Sequence, residues 1–135
     1  PAAPMLDRRV DVLWVTPKAT QLDAALELVP PEQLGDAVVV PLLNGFDHVA
    51  LLRERLGAGR VRAGVIYVES ERVDVGRISQ KTAFAEIELA PGPGAGDICA
   101  EVVAAGLGCS VGASEAAVLW RKLSVLAPLA AAAQH

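Results

Sequence analysis

The sequence predicts an α/β fold in which parallel strands alternate with helices. Two short apolar runs rich in β-branched residues, Val10–Thr16 and Ala37–Leu43, are each followed by a stretch with helical apolar spacing. Such runs are the mark of strands buried on both faces of a parallel sheet. Short connections between the runs and the helices imply right-handed crossovers and a doubly wound arrangement, the kind used by nucleotide-binding sheets. The composition agrees: 135 residues, 53% hydrophobic and 21% charged, suit one globular unit with a real core.

Element by element, the first run ends at Pro17-Lys18. Thr20 and Asp23 are then spaced for a variant capping box, and Leu22, Ala25, Leu26 and Val29 form the apolar stripe of a helix that stops at Pro30-Pro31. The second run leads into Asn44-Gly45, after which Val49, Leu52 and Leu56 mark a helix ended by Gly57. Val61–Val68 reads as a further strand. Arg72–Ser79 and Thr82–Leu89 read as two more, paired as an antiparallel hairpin at the sheet edge, with Thr82, Phe84, Glu86 and Glu88 alternating against Ala83, Ala85, Ile87 and Leu89. Pro91–Gly96 is a turn-rich linker, and Ile98, Val102, Ala105 and Leu107 carry the next helical stripe before the short apolar segment Cys109–Val111. Ser114 is placed to cap a final helix that runs at least to Leu126.

Several function classes are set aside by the same reading. A net charge of −4 has the wrong sign for a protein that neutralises nucleic-acid phosphates, so no nucleic-acid partner is expected. The longest uncharged run, Leu123–His135, has 13 residues and contains Pro128, short of the roughly 20 that span a bilayer; no membrane partner is expected. Cys99 and Cys109 are ten residues apart without Cys-x-x-Cys spacing, and no signal-peptide pattern precedes Asp7-Arg8-Arg9, so a reducing, cytoplasmic compartment is the default. His48 and His135 lack further ligands at metal spacing, so no metal site is expected, and His48 reads as a helix-surface residue. Trp14 and Trp120 read as core or interface residues. The chain opens on Pro1 and closes on Ala130–His135 without a cap or stop signal, which we read as a piece of a larger protein.

Candidate functional residues come from position. Open parallel sheets bind ligands beyond the carboxyl ends of their strands, and Lys18 and Asn44 both follow a predicted strand. Lys18 is either a solvated loop lysine or a holder of a phosphate, carboxylate or carbonyl oxygen. Asn44 is either half of a tight turn or a side chain that fixes a carboxamide or hydroxyl while Gly45 lets the backbone approach. Lys122 interrupts the apolar stripe of the last helix, four residues from both Val118 and Leu126. Burial there would lower its pKa into a range useful for general acid catalysis, whereas a snorkelling stem would leave the ammonium in water.

Taken in order, Asp11-Val-Leu-Trp-Val-Thr-Pro-Lys18-Ala-Thr-Gln21, Pro41-Leu-Leu-Asn44-Gly45, Gly64, Gly76-Arg-Ile-Ser79, Ala105–Val111 and Leu119-Trp-Arg-Lys122-Leu123 resemble the 2-dehydropantoate 2-reductase (ketopantoate reductase) family. The resemblance implies the second half of a Rossmann-like NADP-binding domain over residues 1–112, and over 113–135 the start of an α-helical C-terminal domain for substrate and dimerisation. It implies NADPH as cofactor, a small 2-keto acid as substrate and a homodimer as the assembly to test. Carried over by position, Lys122 becomes the proton donor, Lys18 and Asn44 contact cofactor and substrate, and Ser70 touches the cofactor. The family's glycine-rich phosphate loop would lie upstream of Pro1, so the isolated segment is expected to be inactive. Where the family has asparagines four and eight residues after that lysine, this chain has Leu126 and Ala130, with Pro128 expected to kink or end the helix. Those departures keep two alternatives open: a paralogue acting on another 2-keto acid, or a non-catalytic α/β binding module.

Overall fold

Parallel pairing joins β1 (Val12–Val15) to β2 (Val38–Pro41), with Val12 opposite Val38 and Val15 opposite Pro41. A computed structural model, describing residues 5–132, shows how the rest is built around this pair. One parallel bridge, Val39 to Val61, and the Arg62 N–H donating to the Val39 carbonyl at 2.9 Å extend the layer to β3 (Gly64–Tyr67). Gly64 permits this approach, because a Cβ there would lie 3.0–3.1 Å from Leu89, Leu42 and Val40.

The helix after β1 is shorter than its stripe predicts. A 3₁₀ turn over Ala19–Gln21, closed by the Gln21 N–H on the Lys18 carbonyl at 2.8 Å, precedes α1 (Leu22–Leu26), and no side-chain cap forms at either start. The Thr20–Asp23 box is therefore not made: the tight turn satisfies locally what a capping side chain would have supplied. Pro30-Pro31 ends that segment as expected, yet Pro31 also opens a one-turn α2 (Pro31–Leu34), the position where a missing N–H costs nothing. By contrast α3 (Asp47–Leu56) is bounded as predicted, Gly57 ending it at φ +106°. His48, however, is buried, contrary to the surface placement expected of it. It precedes the fully buried Leu52 by four residues and so shares its face of the helix.

The expected edge hairpin is corrected. The antiparallel pair is β4 (Ser70–Asp74) with β5 (Arg77–Gln80), turning at Val75-Gly76 with Gly76 at φ +73°. Thr82 leaves extended pairing altogether: its hydroxyl accepts the Glu69 N–H at 3.3 Å and donates to the Phe84 carbonyl at 2.8 Å. Only Glu86–Leu89 remains as β6, and it is an interior strand, antiparallel to β3 and parallel to β7 (Gly108–Val111). Glu88, which alternates with Ile87 and Leu89 along the strand, is therefore buried along with both.

Successive residues of β2 point to opposite faces and seed two cores. Val39 packs with Val15, Leu22, Val49 and Leu52, whereas Val40 packs with Ile87, Leu89, Ile98 and Val102 of β6 and α4 (Ala95–Ala104). Helices thus cover both faces of the layer, as a doubly wound sheet requires. Cys109 of β7 lies beside Cys99 of α4, where burial first and then the neighbouring thiol push its pKa up to about 12, so it stays protonated. The final helix, α5 (Glu115–Ala132), begins as predicted with the Ala117 N–H on the Ser114 hydroxyl at 3.1 Å. It runs through Pro128 rather than ending there, since a proline removes a single bond of the ladder. Ala130 is on this helix, but its side chain lies outside those described, as do residues 1–4 and 133–135. Trp14 and Trp120 are both exposed, Trp120 against Phe46 with ring centroids 6.0 Å apart. Neither is a core residue.

Candidate active site

Because β1, β2 and the Val61–Tyr67 segment run in one direction, the segments leaving their carboxyl ends gather at one edge of the layer. The Leu42 N–H donates to the Val15 carbonyl at 2.9 Å and ties two of those exits together. There a cleft of about 540 Å³ opens, lined by Thr16, Lys18, Asn44 and Lys122 as its polar groups and by Leu42, Leu43, Ile66, Val68 and Leu126 among its apolar ones. Three residues singled out from sequence, separated by up to 104 positions, therefore share one cavity. Ser70 is not among those lining it; it opens the exposed β4 opposite Gln80.

Lys122 reaches the cleft from the opposite wall, and ion pairs set its direction. Arg53 of α3 clamps Glu115 with two bonds of 3.0 and 2.5 Å, and Arg121 donates to Glu88 of β6 at 2.9 Å. With Val118 fully buried between these anchors, the rotation of α5 about its axis is fixed. The half-buried Lys122 ammonium donates to the Ile66 carbonyl and lies over the Tyr67 ring, 4.7 Å from its centroid. No carboxylate among the described residues pairs with it, and burial holds its pKa below the usual lysine value.

On the other side of Tyr67 lies a second cavity of about 580 Å³, bordered by Glu86, Glu88, Ser110, Arg121 and Val125. Period-two alternation along β3 explains the division: Ile66 and Val68 face the cleft, and Tyr67 faces the second cavity. Tyr67, Glu88 and Arg121 were not singled out from sequence as site residues, and Leu126 was named there as the place where the family has an asparagine. The one available signal was the tyrosine at the end of an apolar strand, and nothing local says which helix will cross it.

Chemically, the cleft offers two ammonium groups and one carboxamide over an apolar floor, with no acidic residue among the described ones that line it. Such a set suits an anionic, carbonyl-bearing ligand. The described residues hold no group of three or more His, Cys, Asp or Glu placed to bind a metal, and no helix among them is long and apolar enough to cross a membrane.

Comparison with known proteins agrees with this layout. The sequence model described as ketopantoate reductase PanE/ApbA matches residues 2–94. A PanE/ApbA family ketopantoate reductase from Ralstonia eutropha JMP134 superimposes with a TM-score of 0.75 at 26% identity, over 86% of this chain and 38% of its own. D-mandelate dehydrogenase, solved with NADH and anilino(oxo)acetate, shares the fold with a TM-score of 0.76 at 20% identity, over 87% of this chain and 39% of its own. A dimeric ketopantoate reductase from Staphylococcus aureus does so with 0.68 at 16%, over 87% and 39%. No curated protein matches the sequence. The chain spans well under half the length of these structures. With a family match over more than half of its residues and the Rossmann-like α/β architecture those enzymes have, the chain belongs to the ketopantoate reductase family.

Proposed function

We propose that this chain is the central part of an NADPH-dependent oxidoreductase that reduces 2-dehydropantoate to pantoate, with Lys122 as the proton donor. The observation that carries the reading is the convergence of Lys18, Asn44 and Lys122 on one cleft beyond the carboxyl ends of parallel strands. In this reading residues 1–112 complete a nucleotide-binding domain and 113–135 begin a helical substrate and dimerisation domain, in a cytoplasmic homodimer. Lys18, Asn44 and the outlying Ser70 contact the cofactor, and Asn44 and Lys122 the substrate.

The donor set fits the nicotinamide end of such a cofactor: the Asn44 amide can pair with a carboxamide or ribose hydroxyl, and Thr16 and Lys18 border the same rim. When bound, the cofactor supplies a hydride. Lys122 then acts on the 2-keto oxygen, stabilising the negative charge that develops there and donating the proton that quenches it. Its low-lying pKa eases that donation. Leu42, Leu43, Ile66 and Val68 give the site an apolar floor, which strengthens the electrostatic interactions of groups held against it.

Leu126 favours a second reading of the substrate. It lines the cleft one helical turn beyond Lys122 and offers no hydrogen bond to a hydroxyl. A 2-keto acid with a more apolar side chain meets this wall better than ketopantoate does. The deciding experiment is NADPH oxidation by the complete protein with ketopantoate and a panel of 2-keto acids. Lys122→Ala is expected to cut turnover by about 10²–10⁴-fold while NADPH still binds. Unchanged turnover would reject the role of Lys122, and no oxidation with any 2-keto acid would reject the reductase itself in favour of a non-catalytic module.

A further inference from the structure

We propose that Tyr67 is the positioning residue for Lys122: its ring and the Ile66 carbonyl together hold the ammonium at the cleft wall. The inference rests on the reading above only for what Lys122 does there, since the contact itself belongs to the fold.

A lysine side chain has four rotatable bonds, and an unpaired ammonium at a cleft mouth samples many positions. Here two features restrict it. The Ile66 carbonyl accepts one of its three protons, and the Tyr67 ring presents its negative π face at 4.7 Å, within the range of a cation–π contact. Both belong to consecutive residues of β3, so the strand supplies the whole cradle on a rigid element. The tyrosine sits on a paired strand, opposite Glu86 of β6, so the backbone that carries the ring is held; its hydroxyl, buried without a partner among the described residues, borders the second cavity.

The arrangement differs from an ion pair in a way that matters for proton donation. A carboxylate in that place would hold the ammonium more tightly and keep its proton on. A π face and a neutral carbonyl orient it while leaving desolvation to weaken its hold on that proton. The charged groups around this corner are Lys18 across the cleft, and Glu86 and Glu88 of β6 with Arg121 of α5 beyond the ring. Glu88 is already paired with Arg121, so neither competes for Lys122.

The test reads Lys122 directly. In the complete protein, the lysine ε-methylene and ammonium resonances are followed by NMR against pH, with Lys122→Arg assigning the signal of interest by its loss. The ring displaces that signal upfield, and Tyr67→Phe, which keeps the ring, should preserve both the displacement and the titration midpoint. Tyr67→Leu should abolish the displacement and lower the midpoint by about 0.5 unit or more, because the ring stabilises the charged form. The resonance of Lys18 serves as the control for intact folding, and Tyr67→Ile, better suited to a strand, replaces leucine if that variant does not fold. A Lys122 signal unmoved by Tyr67→Leu overturns the proposal, as does a Tyr67→Phe variant that behaves like leucine, which would assign the effect to the hydroxyl. These readouts need neither cofactor nor substrate, so failure of the functional reading leaves them interpretable. Where turnover is measurable, Tyr67→Leu should lower kcat with little change in KM, and Tyr67→Phe should restore it.

Discussion

Nη1 of Arg121 lies 2.9 Å from Oε1 of Glu88, a carboxylate whose side chain is only 8% exposed, and the neighbouring residue on the helix is Lys122. The pair joins the first turns of α5 to an interior strand, so the angle at which α5 presents Lys122 depends on it. Arg121→Met removes the partner and leaves the carboxylate buried, at an expected loss of about 1–3 kcal/mol, less than for a fully buried pair because the arginine is largely exposed. Removing both charges, in Arg121→Met with Glu88→Met, should recover part of that loss. Urea unfolding of the two variants checks the order; a double variant no more stable than Arg121→Met would mean that the buried charge is not the cause.

Gly112 marks how closely α5 and β6 approach. A Cβ there would run into the Val118 side chain and stand 2.9 Å from Oε1 of Glu88. Gly112→Ala should therefore destabilise by about 1–3 kcal/mol through overpacking. Gly96, exposed in α4 with open space around it, makes the opposite case. Gly96→Ala should add about 0.5–1 kcal/mol through helix propensity and the narrower unfolded ensemble. Thermal melts of the two single variants should move in opposite directions.

His48 predicts an acid-sensitive fold. Its Nε2 is buried without a partner among the described residues, and burial lowers its pKa below the ordinary value, with Asp47 opposing in part. The unfolded chain therefore takes up this proton first, and stability falls as pH drops through about 6.5 toward the native-state pKa. Above that range the group is neutral in both states and contributes no pH dependence. His48→Leu should flatten the stability profile between about pH 7 and 5, measured by denaturant midpoints at constant ionic strength; an unchanged slope would assign the dependence to other groups.

Leu126 predicts a switch in substrate preference. Leu126→Asn places an amide in the cleft one turn from Lys122, where it can meet a substrate hydroxyl. In the complete protein its kcat/KM ratio for hydroxylated over purely apolar 2-keto acids should rise by about tenfold or more. An unaltered ratio would place the substrate's side chain elsewhere in the cleft.

Much of this molecule was legible along the chain. Val38–Pro41 carries apolar groups on both faces, and such a run has no stable place except between two packed layers, so the parallel pair and its flanking helices followed from pattern alone. Lys18 and Asn44 could be nominated because the exits of parallel strands form a crevice in any sheet of this kind, and Ser114 because its hydroxyl serves backbone N–H groups three residues away. These are short-range or purely topological facts.

What tertiary structure decided was every matter of partnership. Glu88 can be buried only because an arginine 33 positions later arrives to neutralise it, and β6 is interior only because β3 and β7 close on both its edges. Lys122 left two placements open in the sequence, and the strand that crosses beneath it, with a carbonyl 56 and an aromatic face 55 residues upstream, holds its ammonium half-buried at the cleft. Periodicity reports which face of an element is apolar; which element meets that face is set by packing energies summed over the whole fold, and these have no local signature.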